Sequence, residues 1–154
     1  WLIDVGTTLN ALQFSSDGKH LFAAMLRNDI QANLGNPDDP SFIHTLAKFD
    51  ATTGKELAAV DVWRQKGSGG HAVTLHGMAL VGDALFVAAE ASDLALVLDA
   101  ATLAEKRRIQ VAGRPRSLLA DPSGGSNVWA LGGQALVVHR LDDGDNPLRR
   151  ADLA

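Results

Sequence analysis

The chain has 154 residues, of which 46% are hydrophobic and 21% charged, and this suits one globular domain with a buried core. Its net charge is −4 and it has no basic stripe, which argues against a nucleic-acid partner. It has no cysteine, which excludes disulfides and thiolate metal sites, and no apolar run of membrane-spanning length. Because it begins at Trp1 without a signal-like segment, we expect a piece of a longer polypeptide or a processed product.

Short apolar runs separated by turn residues predict antiparallel strands along the whole chain. Near the start, Ser15-Ser16-Asp17-Gly18 supplies the Asp and Gly that close a tight hairpin. In the middle, the runs Met78–Val81, Ala84–Ala89 and Leu94–Leu98 are separated by Gly82-Asp83 and by a turn at Glu90–Asp93. Runs of this length are too short for helices and are rich in residues that favour strands.

The strand pattern occurs three times and predicts an all-β chain of three four-stranded antiparallel meanders. An Asp ends the third strand at positions 50, 99 and 142. The second step, 43 residues, is close to the roughly 40–45 residues of a propeller blade, and the first, 49 residues, is longer because the loop before the second repeat is extended. The chain forms one segment, 1–154, with approximate repeats 1–62, 63–111 and 112–154. We expect the innermost strands to be buried on both faces and the charged fourth strands to border solvent. The predicted fourth strands are Glu56–Val62, Glu105–Val111 and Leu148–Leu153.

Two stretches resemble the YVTN-type β-propeller repeats common in bacterial cell-envelope proteins. They read FSSDGKHLFAA followed by FDATTGKELAAVDV, and LALVLDAATLAEKRRIQVAGRP. The resemblance implies propeller blades and a periplasmic or extracellular location. Closed propellers have four to eight blades, so about three blades make an incomplete ring. The resemblance therefore also implies further blades from the same or another chain.

The first candidate site lies at the rim of the expected channel. Asn10, His76 and Arg116 align at the start of the three innermost strands and are polar where the rest of each strand is apolar. Innermost strands surround the central channel of a propeller, so these side chains could bind an anion, a water cluster or a partner loop. A plain wet channel lining explains the same pattern.

The second candidate surface is a partner-contacting loop. The insertion Arg27–Phe42 is rich in turn residues and longer than most connections, which favours either a functional loop or a surface excursion. Trp63 and Arg64, placed just after a fourth strand, form an aromatic and cationic pair typical of interfaces. The insertion also carries three carboxylates without the alternating spacing of a calcium loop, so no metal site is predicted. They are Asp29, Asp38 and Asp39.

Since no catalytic motif is present, the leading hypothesis is a non-catalytic scaffold or binding module without a cofactor. It would bind a protein partner or a small ligand at the channel rim. One alternative is a propeller subunit of a periplasmic oxidoreductase, similar to the heavy chain of periplasmic amine dehydrogenases, which supports a cofactor-bearing light chain. Another is a metal-dependent propeller lactonase, which holds a divalent ion with Glu, Asn and Asp; only Asn10 corresponds to that set.

Overall fold

The computed structural model describes residues 8–28, 42–65, 74–111, 113–125, 127–132, 137–141 and 149–152. These residues form twelve strands in three four-stranded antiparallel sheets, and hydrogen-bonded neighbours in each sheet are consecutive in the chain. The predicted all-β fold of four-stranded meanders is confirmed. The chain divides into two compact units, Trp1–Leu75 and His76–Ala154; the first sheet lies in the former unit, and the other two sheets lie in the latter, with Leu75 at the boundary.

The first sheet contains β1 (Thr8–Phe14), β2 (His20–Asn28), β3 (Phe42–Asp50) and β4 (Glu56–Gln65). The second contains β5 (Leu75–Val81), β6 (Ala84–Ala89), β7 (Leu94–Asp99) and β8 (Glu105–Gln110), with a short 3₁₀ turn at Glu90–Ser92 between β6 and β7. The third contains β9 (Pro115–Ala120), β10 (Val128–Gly132), β11 (Val137–Leu141) and β12 (Arg149–Asp152).

The turn between the third and fourth strands has the same hydrogen bonds in the first two sheets. Asp50 Oδ1 accepts bonds of 2.7–2.9 Å from the backbone N–H groups of Thr52 and Thr53 and from the Thr53 hydroxyl. Asp99 makes the equivalent three contacts. The bonds from Thr53 lower the pKa of the Asp50 carboxyl, and the equivalent bonds lower the pKa of Asp99. The third predicted Asp, at position 142, lies outside the described residues.

β6, the second strand of its sheet, is buried on both faces, and the innermost strand β1 is not. Every residue of β6 is buried, whereas no residue of β1 is. In β9, buried and exposed positions are mixed. The expectation of fully buried innermost strands is therefore wrong for β1 and β9, because each lies at an edge of its sheet while β6 has a strand on either side. The charged outer strand β8 is largely exposed, as predicted.

Two predicted loops are shorter than expected. β2 continues to Asn28 and β3 begins at Phe42, so the ends of the predicted insertion Arg27–Phe42 belong to strands. β4 continues to Gln65, so the prediction that Trp63 and Arg64 follow the fourth strand is wrong. β4 pairs with β3, and this pairing continues beyond the residues where turn chemistry and charges suggested the end of the strand. In the Cα register, Trp63 is aligned with His44.

The second and third sheets pack face to face through an apolar core. Phe86, Ala88 and Val97 of the second sheet lie in one buried cluster with Leu118 and further residues of the third sheet. Burying a side chain the size of Phe86 contributes about 1.5–3 kcal/mol. This packing places β5 and β9 next to each other, and they hold the candidate site.

β5 and β9 approach so closely that a side chain does not fit between them at Gly77. A Cβ at this position would lie 2.7 Å from the Arg116 carbonyl oxygen and 2.8 Å from both Leu118 N and Ser117 Cα. All three atoms belong to the backbone, so they cannot move aside as a flexible side chain could. The sheets would have to separate to admit any residue larger than glycine.

We expect Gly77→Ala to lower the free energy of unfolding by about 1–3 kcal/mol, because overpacking forces the two sheets apart. Ser117→Ala serves as the control, since Ser117 is the exposed β9 residue aligned with Gly77 and should change stability by less than about 0.5 kcal/mol. Denaturant unfolding of the three proteins measures both effects. Equal stability of Gly77→Ala and the parent would contradict the close approach.

Candidate functional site

Three basic side chains converge on one buried carboxylate at the end of β6. Glu90 follows the apolar strand directly, opens the 3₁₀ turn and is only 4% exposed. His76 lies on β5, Arg116 on β9, and Arg114 directly before β9. We call these four residues the Glu90 cluster. It joins the second and third sheets, because two of its members come from each.

The contacts within the Glu90 cluster divide between the two carboxylate oxygens. Oε2 of Glu90 lies 2.7 Å from Nε2 of His76. Oε1 accepts a 2.8 Å hydrogen bond from Nε of Arg116 and lies 2.7 Å from Nη2 of the same guanidinium. Nη2 of Arg114 approaches Oε1 to 3.3 Å. Both oxygens therefore have hydrogen-bonding partners, as a buried carboxylate requires.

The basic neighbours keep Glu90 ionised in spite of its burial. Burial by itself raises the pKa of the Glu90 carboxyl, since the charged form loses its hydration. The hydrogen bond from Arg116 and the charges of Arg116, His76 and Arg114 act in the opposite direction and prevail, so the pKa lies below its ordinary value. The contact of Glu90 with Arg116 and Arg114 is therefore ionic at neutral pH.

Asp93 ties the Arg114 loop to the second sheet. Its Oδ1 accepts a 2.7 Å hydrogen bond from the Arg114 backbone N–H. Its carbonyl oxygen accepts bonds from Val111 N and from the Gln110 side chain, at 2.8 and 2.9 Å. Asp93 and Arg114 both have left-handed backbones, with φ of 52° and 56°. Such conformations are uncommon for residues other than glycine, and they often mark functional sites.

A β-bulge sets the position of Arg116. The two neighbours of Arg116 pair with consecutive residues of β10, so Arg116 is an extra residue in its strand. Asn10 occupies the corresponding bulge in β1, where its neighbours pair with consecutive residues of β2. Bulges re-aim a side chain relative to the regular alternation of a strand. Asn10 and Arg116, which align in the sequence, are therefore both bulge residues of their strands.

The structure brings His76 and Arg116, two of the three predicted rim residues, together on Glu90. Asn10 belongs to the other compact unit, on β1. Sequence reasoning missed Glu90 and Arg114, because Glu90 was assigned to an ordinary turn. The signal that could have found Glu90 is a single carboxylate directly after a six-residue apolar strand. The signal for Arg114 is a pair of arginines that flank Pro115 at the start of the next inner strand.

The predicted partner loop receives less support. Asp29, Asp38 and Asp39 lie outside the described residues. Trp63 lies within β4 and is 47% exposed, and Arg64 follows it in the same strand. Across the described ranges, no three His, Asp or Glu side chains gather as a metal site would require. None of the elements in those ranges is a helix with the length and apolar character of a membrane span.

No protein-family model and no curated protein sequence matches the chain. Solved structures do match it. Hydrazine synthase from Kuenenia stuttgartiensis has a TM-score of 0.67 at 22% identity, over 95% of this chain and 36% of that chain. The β-propeller domain of Cps50 (Swd1) from Myceliophteria thermophila has a TM-score of 0.62 at 14% identity, over 97% and 39%. Dihydro-heme d1 dehydrogenase NirN, solved in complex with DHE, has a TM-score of 0.59 at 14% identity, over 99% and 29%.

These likenesses identify the three sheets as blades of an incomplete β-propeller and confirm the predicted fold class. At such low identities they show the fold alone. The chain spans between 29% and 39% of the length of these structures. They do not name the YVTN repeat family, which stays a prediction.

We expect Glu90→Gln to lower the free energy of unfolding at neutral pH by about 1–3 kcal/mol, because it weakens charged hydrogen bonds at a buried group. The folded-state pKa of Glu90 lies below the ordinary value of a glutamate, which is the value that applies in the unfolded chain. Its contribution is therefore complete above that value and is lost as the pH falls through the folded-state pKa. The stabilities of parent and variant, measured by denaturant titration between neutral pH and about pH 3, should converge on acidification.

Asp17, Asp50 and Asp99 also have lowered pKa values, but they titrate in both proteins and cancel in the difference. Glu105→Gln is the matched control, since its ion pair with Arg108 is exposed and contributes little. A stability difference between parent and Glu90→Gln that did not change with pH would contradict an ionised Glu90 in the folded protein.

Proposed function

We propose that the chain is a non-catalytic binding module of a β-propeller and that the Glu90 cluster binds an anionic group of a small ligand or protein partner. One observation carries the proposal: two guanidinium groups and an imidazole are gathered on a single buried carboxylate. A structural ion pair needs one basic partner for Glu90, and here there are three. The additional basic groups are those available to a ligand.

The exposed part of the cluster is cationic. The side chains of Arg116 and Arg114 are 59% and 45% exposed, whereas the Glu90 side chain is 6% exposed. Guanidinium groups present several N–H donors in a planar arrangement that matches carboxylate and phosphate oxygens. Asp93 adds a second carboxylate beside Arg114, so the net positive charge of the site is small. Recognition of an anion therefore depends mainly on where the guanidinium N–H donors are placed.

The cluster is also organised before any ligand arrives. A free arginine side chain loses about 2 kcal/mol of rotamer entropy when it is fixed, and this cost opposes binding. Contact with Glu90 already restricts Arg116 and Arg114, and the left-handed backbone of Arg114 is held by Asp93. A preorganised pair of donors binds an anion more tightly than two mobile side chains would.

The place of the cluster along the strands supports a site at the predicted channel rim. His76 and Arg116 lie near the start of β5 and β9, the innermost strands of consecutive blades. Innermost strands surround the channel of a propeller, and propellers bind ligands at its ends. The contribution of Asn10, the periplasmic or extracellular location and both enzymatic alternatives stay predictions.

Titration with inorganic phosphate at constant ionic strength tests the proposal. The N–H resonances of the Arg114 backbone and the Arg116 side chain should shift with phosphate and saturate. Arg116→Ala should weaken this binding about tenfold or more, because it removes a charge-assisted contact. Circular dichroism would establish that the variant keeps its strands.

Arg108→Ala is the matched control, since it removes the same charge from the exposed outer strand β8. It should leave phosphate binding within about twofold, as expected for a charge outside the site. An equal loss of phosphate binding in both variants would mean that the effect comes from the overall charge of the protein and not from a specific site. That outcome, or a linear response without saturation in the parent protein, would refute an anion site at the Glu90 cluster.

A further inference from the structure

The Glu90 cluster and Asp93 together carry little net charge. The guanidinium groups of Arg114 and Arg116 are matched in number by the carboxylates of Glu90 and Asp93. The sum therefore depends on His76 and reaches one positive charge at most. Such a site can neutralise a singly charged ligand, whereas a doubly charged anion would keep at least half of its charge uncompensated, which is costly away from water.

Arg116 uses only one edge of its guanidinium group on Glu90. Nε and Nη2 lie 2.8 and 2.7 Å from Oε1 of Glu90, and these two nitrogens form the side edge of the planar group. The outer edge, formed by one N–H of Nη1 and one of Nη2, makes no hydrogen bond to the described residues, and the side chain is 59% exposed. Two parallel N–H donors in one plane match the two oxygens of a carboxylate.

A tetrahedral dianion fits the same donors less well. Sulfate can place two oxygens on the outer edge of Arg116, but its other oxygens carry the remaining charge and need further donors. Arg114 is the second guanidinium at the site, and no lysine or third arginine contacts Glu90 within the described parts of the chain. The negative charges of Glu90 and Asp93 repel a ligand in proportion to the charge that the ligand carries.

Asp93 contributes to this charge balance from the backbone end of Arg114. Its Oδ1 accepts the 2.7 Å hydrogen bond from the Arg114 backbone N–H, and its own backbone is left-handed, with φ of 52°. Asparagine has the same acceptor oxygen and adopts this conformation as readily as aspartate. Asp93→Asn therefore keeps the hydrogen bond and the backbone, and removes only the negative charge.

We propose that the anion site at the Glu90 cluster takes a carboxylate in preference to a doubly charged anion, and that the charge of Asp93 sets this preference. The inference rests on the anion site proposed above and names the class of its ligand. The arginines contact the ligand, whereas Asp93 acts on it through its charge. A peptide terminus and a small organic acid present the same carboxylate, so the test separates these two sources.

Parallel titrations with acetate and sulfate at constant ionic strength and neutral pH test the preference, with the N–H resonances of Arg114 and Arg116 as the readout. Sulfate stays doubly charged near neutral pH, so ligand protonation does not affect the comparison. The parent should bind acetate at least about fivefold more tightly than sulfate. In Asp93→Asn, acetate binding should tighten about threefold and sulfate binding about tenfold, because the effect of the missing charge scales with the charge of the ligand.

Asp83→Asn is the matched control, since it removes the same charge from the other end of β6. The Asp83 side chain is 79% exposed and precedes β6, whereas Glu90 follows that strand. A strand of this length separates them by about 20 Å, more than two Debye lengths of about 8 Å at physiological salt. The control should change neither affinity by more than about twofold. Circular dichroism would establish that both variants keep their strands.

Two further arms test the shape and the source of the ligand. Arg116→Lys keeps the positive charge but lacks the planar pair of donors, so it should weaken acetate binding about tenfold or more. N-acetylated dialanine carries a peptide carboxylate, and its C-terminal amide should not bind. Tighter binding of this peptide than of acetate would identify a protein terminus as the source, and equal binding would identify a small acid; both results agree with the proposal.

The outcomes separate this inference from the anion site on which it rests. Saturable sulfate binding at least as tight as that of acetate would overturn the carboxylate preference and leave the anion site intact. Equal changes for both ligands in Asp93→Asn would overturn the role of Asp93, and unchanged acetate binding in Arg116→Lys would overturn recognition by the planar donors. Absence of saturable binding by acetate and sulfate alike would refute the anion site itself, and the preference with it.

Discussion

A carboxylate that leaves water must find partners, and this requirement governs how the second and third blades meet. Glu90 is buried at the end of an apolar strand, where an unpaired charge would cost several kcal/mol. His76, Arg114 and Arg116 supply the partners, and the last two come from the following blade. The ionic contact has a defined geometry, so it specifies the placement of the two sheets more closely than apolar burial alone.

Apolar packing supplies most of the attraction between the second and third blades. The Glu90 cluster fixes how the two blades are oriented against each other. Phe86 and Val97 lie in the same core as Leu118, and such burial is strong but tolerant of sliding. The missing side chain of Gly77 lets β5 and β9 approach closely, which brings His76 and Arg116 within reach of one carboxylate. The same approach leaves two guanidinium groups partly exposed, and the proposed anion site is a consequence of that arrangement.

Local chemistry in the sequence predicts the strands and turns well because their causes lie within a few residues. Asp50 and Asp99 bond to the backbone two and three residues ahead, so each predicts its turn without tertiary information. Errors arise where pairing partners are distant. β4 extends through Trp63 because β3 offers it a partner, and β1 is exposed because it lies at a sheet edge. Neither fact can be read from apolar character alone.

The sequence by itself determined an all-β chain with three repeated meanders, its tight turns and the polar positions His76 and Arg116 at the start of inner strands. Only the tertiary structure decided that these two residues share Glu90, that Arg114 joins them, and which sheet faces stay exposed. The physical reason is range: hydrogen bonds within turns and strand periodicity are local in the chain, whereas Glu90 and Arg116 lie 26 residues apart. Their contact exists only after two blades have packed against each other.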